Sequence, residues 1–193
     1  MRIFYAVKFD DYIKESLDDN LTEIQKHILR CSFTEKENFH ITLFFVGECE
    51  VNRLENLEAA ADNAAAKLGL SPIKAIIGGL GTFGRSGEEL LWAGVKTEPE
   101  NILYKINKTL SEELESSNIK TDGDNKKFTP HVTIARKVEF WGMSAKDLPL
   151  INFKPIYFTI NSITLMESVQ EIKTYGEKRY TKVIYKPLYE VKF

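Results

Sequence analysis

Two of the three histidines in this 193-residue chain sit in near-identical tetrads, His40-Ile41-Thr42-Leu43 and His131-Val132-Thr133-Ile134. In an extended strand, residues i and i+2 project from the same face. Each imidazole therefore shares a face with a threonine hydroxyl, while Ile41, Leu43, Val132 and Ile134 point the other way, toward a core. Histidine titrates near neutral pH, so one ring of a pair can accept a proton while the other donates one. Such a pair suits in-line displacement at phosphorus, with water activated on one side and the leaving oxygen protonated on the other. The hydroxyls can donate to non-bridging oxygens as charge grows on them. Two other readings of the same residues stay open: histidines hydrogen-bonded locally at strand ends, and a metal site. No HxH, HxxxH or cysteine cluster accompanies them to support a metal.

The surrounding elements repeat in the same order. Arg2 to Phe9 alternates like a strand, and Asp10 and Asp11 can cap the helix implied by Ile13, Leu17, Leu21, Ile24 and Ile28. After a polar stretch, Phe39 to Val46 reads as a buried strand closed by Gly47. Strand, helix and His-x-Thr strand thus occupy residues 2–46, and the order recurs over residues 90–136. There a strand over Glu89 to Val95 leads to a helix begun by Pro99 and then a strand from Phe128 to Ala135. A weak duplication of this kind predicts two similar lobes about an approximate two-fold, with both tetrads facing one cleft. Between the repeats, Val51, Leu54, Leu57, Ala61, Ala64 and Leu68 predict a helix stopped at Gly69. Ile73 to Leu80 reads as a strand, followed by a turn-rich loop at Gly81–Gly87. Phe153 to Met166 and Tyr180 to Tyr185 read as late strands.

Bulk composition sets limits. An apolar fraction of 43% supports a packed core. A formal charge of −2 argues against a coat on long nucleic acid, though not against gripping one phosphate. No run of about 18 apolar residues is present, so no membrane helix is expected. The N-terminal run does not read as a signal peptide. Cys31 and Cys49 lack metal-site spacing and read as reduced thiols, in keeping with a cytoplasmic location. A single domain over residues 1–193, without cofactor and monomeric, is the expectation.

Both tetrads extend into longer signatures. Asn38-Phe39-His40-Ile41-Thr42-Leu43-Phe44-Phe45-Val46-Gly47-Glu48 and Phe128-Thr129-Pro130-His131-Val132-Thr133-Ile134-Ala135-Arg136 resemble the paired motifs of the two-histidine (2H) phosphoesterases. Within that superfamily the chain is most similar to RNA 2′,3′-cyclic phosphodiesterase, also called 2′-5′ RNA ligase. Met1 to Val7, Leu80 to Gly84, Leu91 to Val95, Met166-Glu167-Ser168, Gly176 and Tyr180 carry the likeness over nearly the whole chain. The resemblance implies an α+β, bilobal fold, two pseudo-symmetric lobes of mostly antiparallel sheet with outer helices around a central cleft. It implies metal-independent hydrolysis of 2′,3′-cyclic phosphate ends of RNA to 2′-phosphates, with His40 as proton donor and His131 as proton acceptor. The residues alone do not order those two roles. The resemblance also implies that the chemistry is reversible as 2′-5′ RNA ligation.

Further residues carry weaker expectations. Thr42 and Thr133 are expected to bind substrate. Phe44 follows Thr42 by two, so strand parity puts it on the catalytic face, where an aromatic can stack on a base; plain packing is the competing reading. Phe39 and Phe44 depart from the aliphatic or smaller residues of many relatives. Arg136 lies five residues after His131. Parity puts it on the opposite face unless a bulge or the strand end turns it toward the phosphate; the resemblance implies a phosphate contact, and a surface salt bridge is the competing reading. Lys126, Lys127 and Lys137 form a basic cluster that reads as a solvated face, Phe83 belongs to the hairpin near the cleft mouth, and His27 reads as a surface residue. A nucleotide-binding module without turnover, and a cyclic phosphodiesterase of small nucleotides, are the rival functions.

Overall fold

The first strand defines the two faces of the sheet. In β1 (Arg2–Lys8) the five central residues are all buried, yet they divide between two clusters. Ile3, Tyr5 and Val7 join the main core, whereas Phe4 and Ala6 join a small cluster with Met166, flanked by Phe45 and Tyr185. Alternation along one strand thus separates a helix-covered face from a cleft face. The computed structural model of the protein describes residues 1–84, 88–122, 127–175 and 178–193, and the side chains of 175 and 178–180 are not described.

The chain continues through α1 (Asp11–Gln25), β2 (Ile28–Phe33), β3 (His40–Glu48), α2 (Leu54–Leu68), β4 (Ile73–Phe83) and β5 (Glu89–Glu98). It closes with α3 (Ile102–Ser116), β6 (His131–Phe140), β7 (Ile156–Ile160), β8 (Ser162–Tyr175) and β9 (Lys178–Lys192). Local chemistry marks the helix ends. Asp10 caps α1 by accepting a hydrogen bond from the Ile13 amide at 2.9 Å. Gly69 ends α2 in the left-handed conformation, φ +55°, where a glycine carries no Cβ penalty.

The strands form one curled antiparallel sheet in the order β7-β4-β5-β6-β3-β1-β8-β9, with β2 paired to β6. Its two halves meet between β6 and β3, where Ile41 opposite Val132 is the register pair. About that junction β3 matches β6, β1 matches β5 and α1 matches α3, as the repeated strand–helix–strand order predicts. The result is an α+β half-barrel. Ile13, Leu17, Leu21 and Ile24 of α1, the alanine-rich stripe of α2, and Leu103, Ile106, Leu110 and Leu114 of α3 all bury in the main core on the outer face. The small side chains of α2 let it approach closely, and the Tyr5 hydroxyl ties it to β1 by donating to the Leu57 carbonyl at 2.7 Å. Among the described residues no helix is long and apolar enough to cross a membrane.

Several sequence expectations need correction. The third helix begins at Ile102 rather than Pro99, since Asn101 sits at φ +66° and interrupts the turn. The run from Phe153 to Met166 is two strands, β7 and β8, divided at Asn161. The strand expected over Phe128 to Ala135 starts after Pro130. β2 is not legible in the sequence, because its residues are half-buried or exposed without hydrophobic alternation. Residues 85–87 of the hairpin loop, 123–125 of the Asp122–Asp124 loop region, and Lys126 of the basic cluster lie outside the described residues.

Candidate active site

The antiparallel pair Ile41–Val132 puts His40 beside Thr133 and Thr42 beside His131. Ile41 and Val132 are completely buried on the core face, which turns both His-x-Thr sets to the cleft. Burial along the two strands matches position by position through the fifth residue: half-buried His, buried Ile or Val, half-buried Thr, then two buried residues in succession.

That succession marks a β-bulge in each strand. Ala6 faces Thr42 while Tyr5 faces Phe44, so β3 carries one extra residue there. Trp92 faces Thr133 while Leu91 faces Ala135, giving β6 the same insertion. A bulge reverses side-chain parity beyond it. Phe45, not Phe44, consequently joins the cleft face with His40 and Thr42. Phe44 is 4% exposed and packs in the main core, so the expectation that it shares the catalytic face is wrong. The same parity change carries Arg136 onto the cleft face with Thr133. Each bulged carbonyl finds a donor: the Asn107 side-chain amide donates to Leu43 O at 2.7 Å, and the Thr34 amide donates to Ile134 O at 2.9 Å.

Both rings are oriented in the same way. His40 Nδ1 lies 2.7 Å from the Asn38 carbonyl and His131 Nδ1 lies 2.6 Å from the Thr129 carbonyl. A carbonyl only accepts, so each Nδ1 carries a proton, and each Nε2 is the nitrogen left for chemistry. His40 Nε2 is 3.0 Å from Thr42 Oγ1. Asn38 is itself held by its side-chain amide, which donates to Val183 O of β9 at 2.8 Å.

The two rings differ in surroundings. His40 packs against Phe4 at 5.1 Å and edge-on to Tyr185 at 4.9 Å between ring centroids. Burial pushes its pKa down to about 4; the Asn38 carbonyl opposes the shift, and the charges of His131 and Arg136 add to it. His131 is also lowered, first by burial and then by Arg136, against the pull of the Thr129 carbonyl. Its ring packs edge-on to Phe83 at 5.2 Å, with Trp92 at 6.2 Å. Trp92 lies so close over Gly81 that a Cβ there would stand 2.3 Å from the indole.

Two cavities with shared lining residues open on this face. One, of about 260 Å³, is bounded by His40, Thr133, Arg136, Thr34, Lys182 and Tyr185, among others. The second, of about 300 Å³, shares His40, Thr133 and Arg136 and extends past Thr42 and Phe45 to Arg2, Ser168 and Gln170. His131 lines neither cavity, but its charge acts on His40. Sequence reasoning missed Phe45 and Tyr185. Phe45 had a signal, since it follows His40 by five as Arg136 follows His131; Tyr185 had none, being brought in by β9. No three histidine, cysteine or carboxylate side chains converge among the described residues in a way that would hold a metal ion. Lys127 and Lys137 border neither cavity.

Known proteins resemble this chain in sequence and in fold. The family model of the AKAP7 2′,5′ RNA ligase-like domain matches residues 7–141. A protein of Thermotoga maritima named RNA 2′,3′-cyclic phosphodiesterase is 26% identical, covering 100% of this chain and 96% of its own. One of the same name from Archaeoglobus fulgidus is 32% identical over 70% of this chain and 72% of its own. In fold, TT0787 of Thermus thermophilus superposes with a TM-score of 0.71 at 22% identity, over 100% of this chain and 97% of its own. Escherichia coli LigT, solved with 3′-AMP, gives 0.71 at 20% identity over 99% and 97%. With a family match across more than half its length, and with two His-x-Thr strands abutting at the centre of a shared half-barrel, the chain belongs to the 2′,5′ RNA ligase-like family of 2H phosphoesterases.

Proposed function

We propose that this protein is an RNA 2′,3′-cyclic phosphodiesterase that opens cyclic phosphate ends to 2′-phosphates through His40 and His131. The observation that carries the reading is the paired ring geometry: two imidazoles on abutting strands, each with Nδ1 tied to the carbonyl two residues before it. The names carried by the relatives from T. maritima and A. fulgidus support the same activity.

In this mechanism one Nε2 removes a proton from water as its oxygen bonds to phosphorus. The phosphorus–O3′ bond breaks on the opposite side, and the other Nε2 delivers a proton to O3′. By likeness to the family His131 is the base and His40 the acid. Because burial keeps free His40 neutral at pH 7, His40 acquires its proton as the anionic substrate enters. The phosphate then offsets the charge of Arg136. Thr42 and Thr133 donate to the non-bridging oxygens, and Arg136 balances the charge that grows there. A 5′-hydroxyl taking the place of water gives a 2′-5′ phosphodiester from the same site. These groups supply acid, base and charge balance without a metal ion.

The test is product identification. An RNA ending in a 2′,3′-cyclic phosphate, incubated with the protein in EDTA, is expected to yield a terminal 2′-phosphate. A 3′-phosphate, binding without turnover, or activity abolished by the chelator would refute the corresponding part of the reading.

A further inference from the structure

The pseudo-two-fold pairs Phe45 of β3 with Arg136 of β6, each five residues beyond its histidine and each brought to the cleft by a bulge. One half of the site thus carries a cation on its own strand and the other carries a ring. On the ring side the cation arrives from β1, where the Arg2 guanidinium sits over Phe45, 5.1 Å from its centroid. A single cavity of about 300 Å³ joins Arg2 and Phe45 to His40, Thr42, Thr133 and Arg136, with Ser168 and Gln170 on its wall. Among the described residues no carboxylate pairs with Arg2. Glu48, its cross-strand neighbour, lies 3.6 Å from the N-terminal amine instead. Stacking on a ring restricts the guanidinium while leaving its N–H edge free for an anion, the geometry in which arginine holds phosphate.

We propose that Arg2, with Ser168 and Gln170, forms a second phosphate subsite that holds the phosphodiester preceding the reacting cyclic phosphate. The inference rests on the function proposed above and names its substrate class as oligonucleotide ends rather than mononucleotides. The direction follows from the chemistry. A cyclic phosphate terminates the strand at its 3′ end, so in hydrolysis the chain continues only toward 5′. The cavity that His40 lines also holds a cation with polar neighbours, which suits a phosphodiester better than the face of a base. The subsite also differs from the Arg136 position, which serves the reacting phosphorus.

The experiment compares a nucleoside 2′,3′-cyclic monophosphate with a trinucleotide carrying the same cyclic end. The native protein is expected to favour the trinucleotide in kcat/KM. Arg2→Gln should reduce that preference about 10-fold, mainly through KM, as expected for loss of a charge-assisted contact. The salt dependence of KM for the trinucleotide should fall by about 0.7 in log–log slope, one phosphate contact on a single strand. Arg2→Lys keeps the charge and should fall between the two. It also serves if Arg2→Gln fails to fold, which a melting curve reports. Equal use of both substrates by the native protein, or an equal loss on both in Arg2→Gln, overturns the subsite while leaving the cyclic phosphodiesterase reading intact. Turnover of neither substrate by the native protein overturns that reading and the subsite with it.

Discussion

Ile41 and Val132 face each other where the two halves of the sheet join, and both are fully buried. Because the strands run antiparallel there, each histidine of one half lies beside the threonine of the other. The proposed catalytic groups are therefore positioned by two paired strands with buried core-face residues rather than by loops, an arrangement suited to holding acid and base in fixed relation.

Removing either imidazole should cost more activity than stability. His40→Ala and His131→Ala are each expected to cut turnover roughly 100-fold or more. A phosphodiester with a nitrophenolate leaving group separates their roles. Such a group departs without a proton, so it should rescue the variant lacking the acid, His40→Ala, and not His131→Ala. Rescue of the opposite variant reverses the assignment.

Stability should depend on pH through His40. Its folded pKa, about 4, lies below the ordinary histidine value of 6.5. The unfolded chain therefore binds the extra proton first as pH falls. The contribution is fully present above pH 6.5 and is lost progressively down to about pH 4, amounting to as much as about 3 kcal/mol. Denaturant midpoints measured from pH 7 to pH 4 should fall more steeply for the native protein than for His40→Gln. Parallel curves would contradict the burial of that ring.

Gly81 is expected to tolerate no side chain, because the Trp92 indole would stand 2.3 Å from an added Cβ. Gly81→Ala should displace Trp92 and, through it, the Phe83 ring against His131, costing roughly 1–3 kcal/mol as overpacking does. A shift in tryptophan emission together with a lower melting temperature is the readout. Activity should fall less than in His131→Ala.

Thr133 and Arg136 should act on the same charge by different routes. Thr133→Val removes a hydroxyl proposed to donate to the phosphate oxygens and should lower kcat by about 10- to 100-fold. Arg136→Lys retains charge without the planar fork and is expected to retain more activity than Arg136→Gln. Equal activity in the two Arg136 variants would mean that charge contributes nothing at that position.

The sequence by itself determined the paired His-x-Thr strands, the repeat that relates them, and most helices and strands. These features are local: side-chain alternation, helical spacing, a cap at Asp10 and a stop at Gly69 are each visible within a dozen residues. Tertiary structure decided which residues join the histidines. Phe44 follows Thr42 by two and reads as a cleft residue, yet pairing with β1 inserts a bulge that sends it to the core and substitutes Phe45. The matching bulge against β5 delivers Arg136 to the cleft despite its odd spacing. Arg2 and Tyr185 reach the site from strands distant in the chain. A bulge depends on the register of a partner strand, and a wall depends on which strand lies alongside; neither is encoded in the spacing of a single segment.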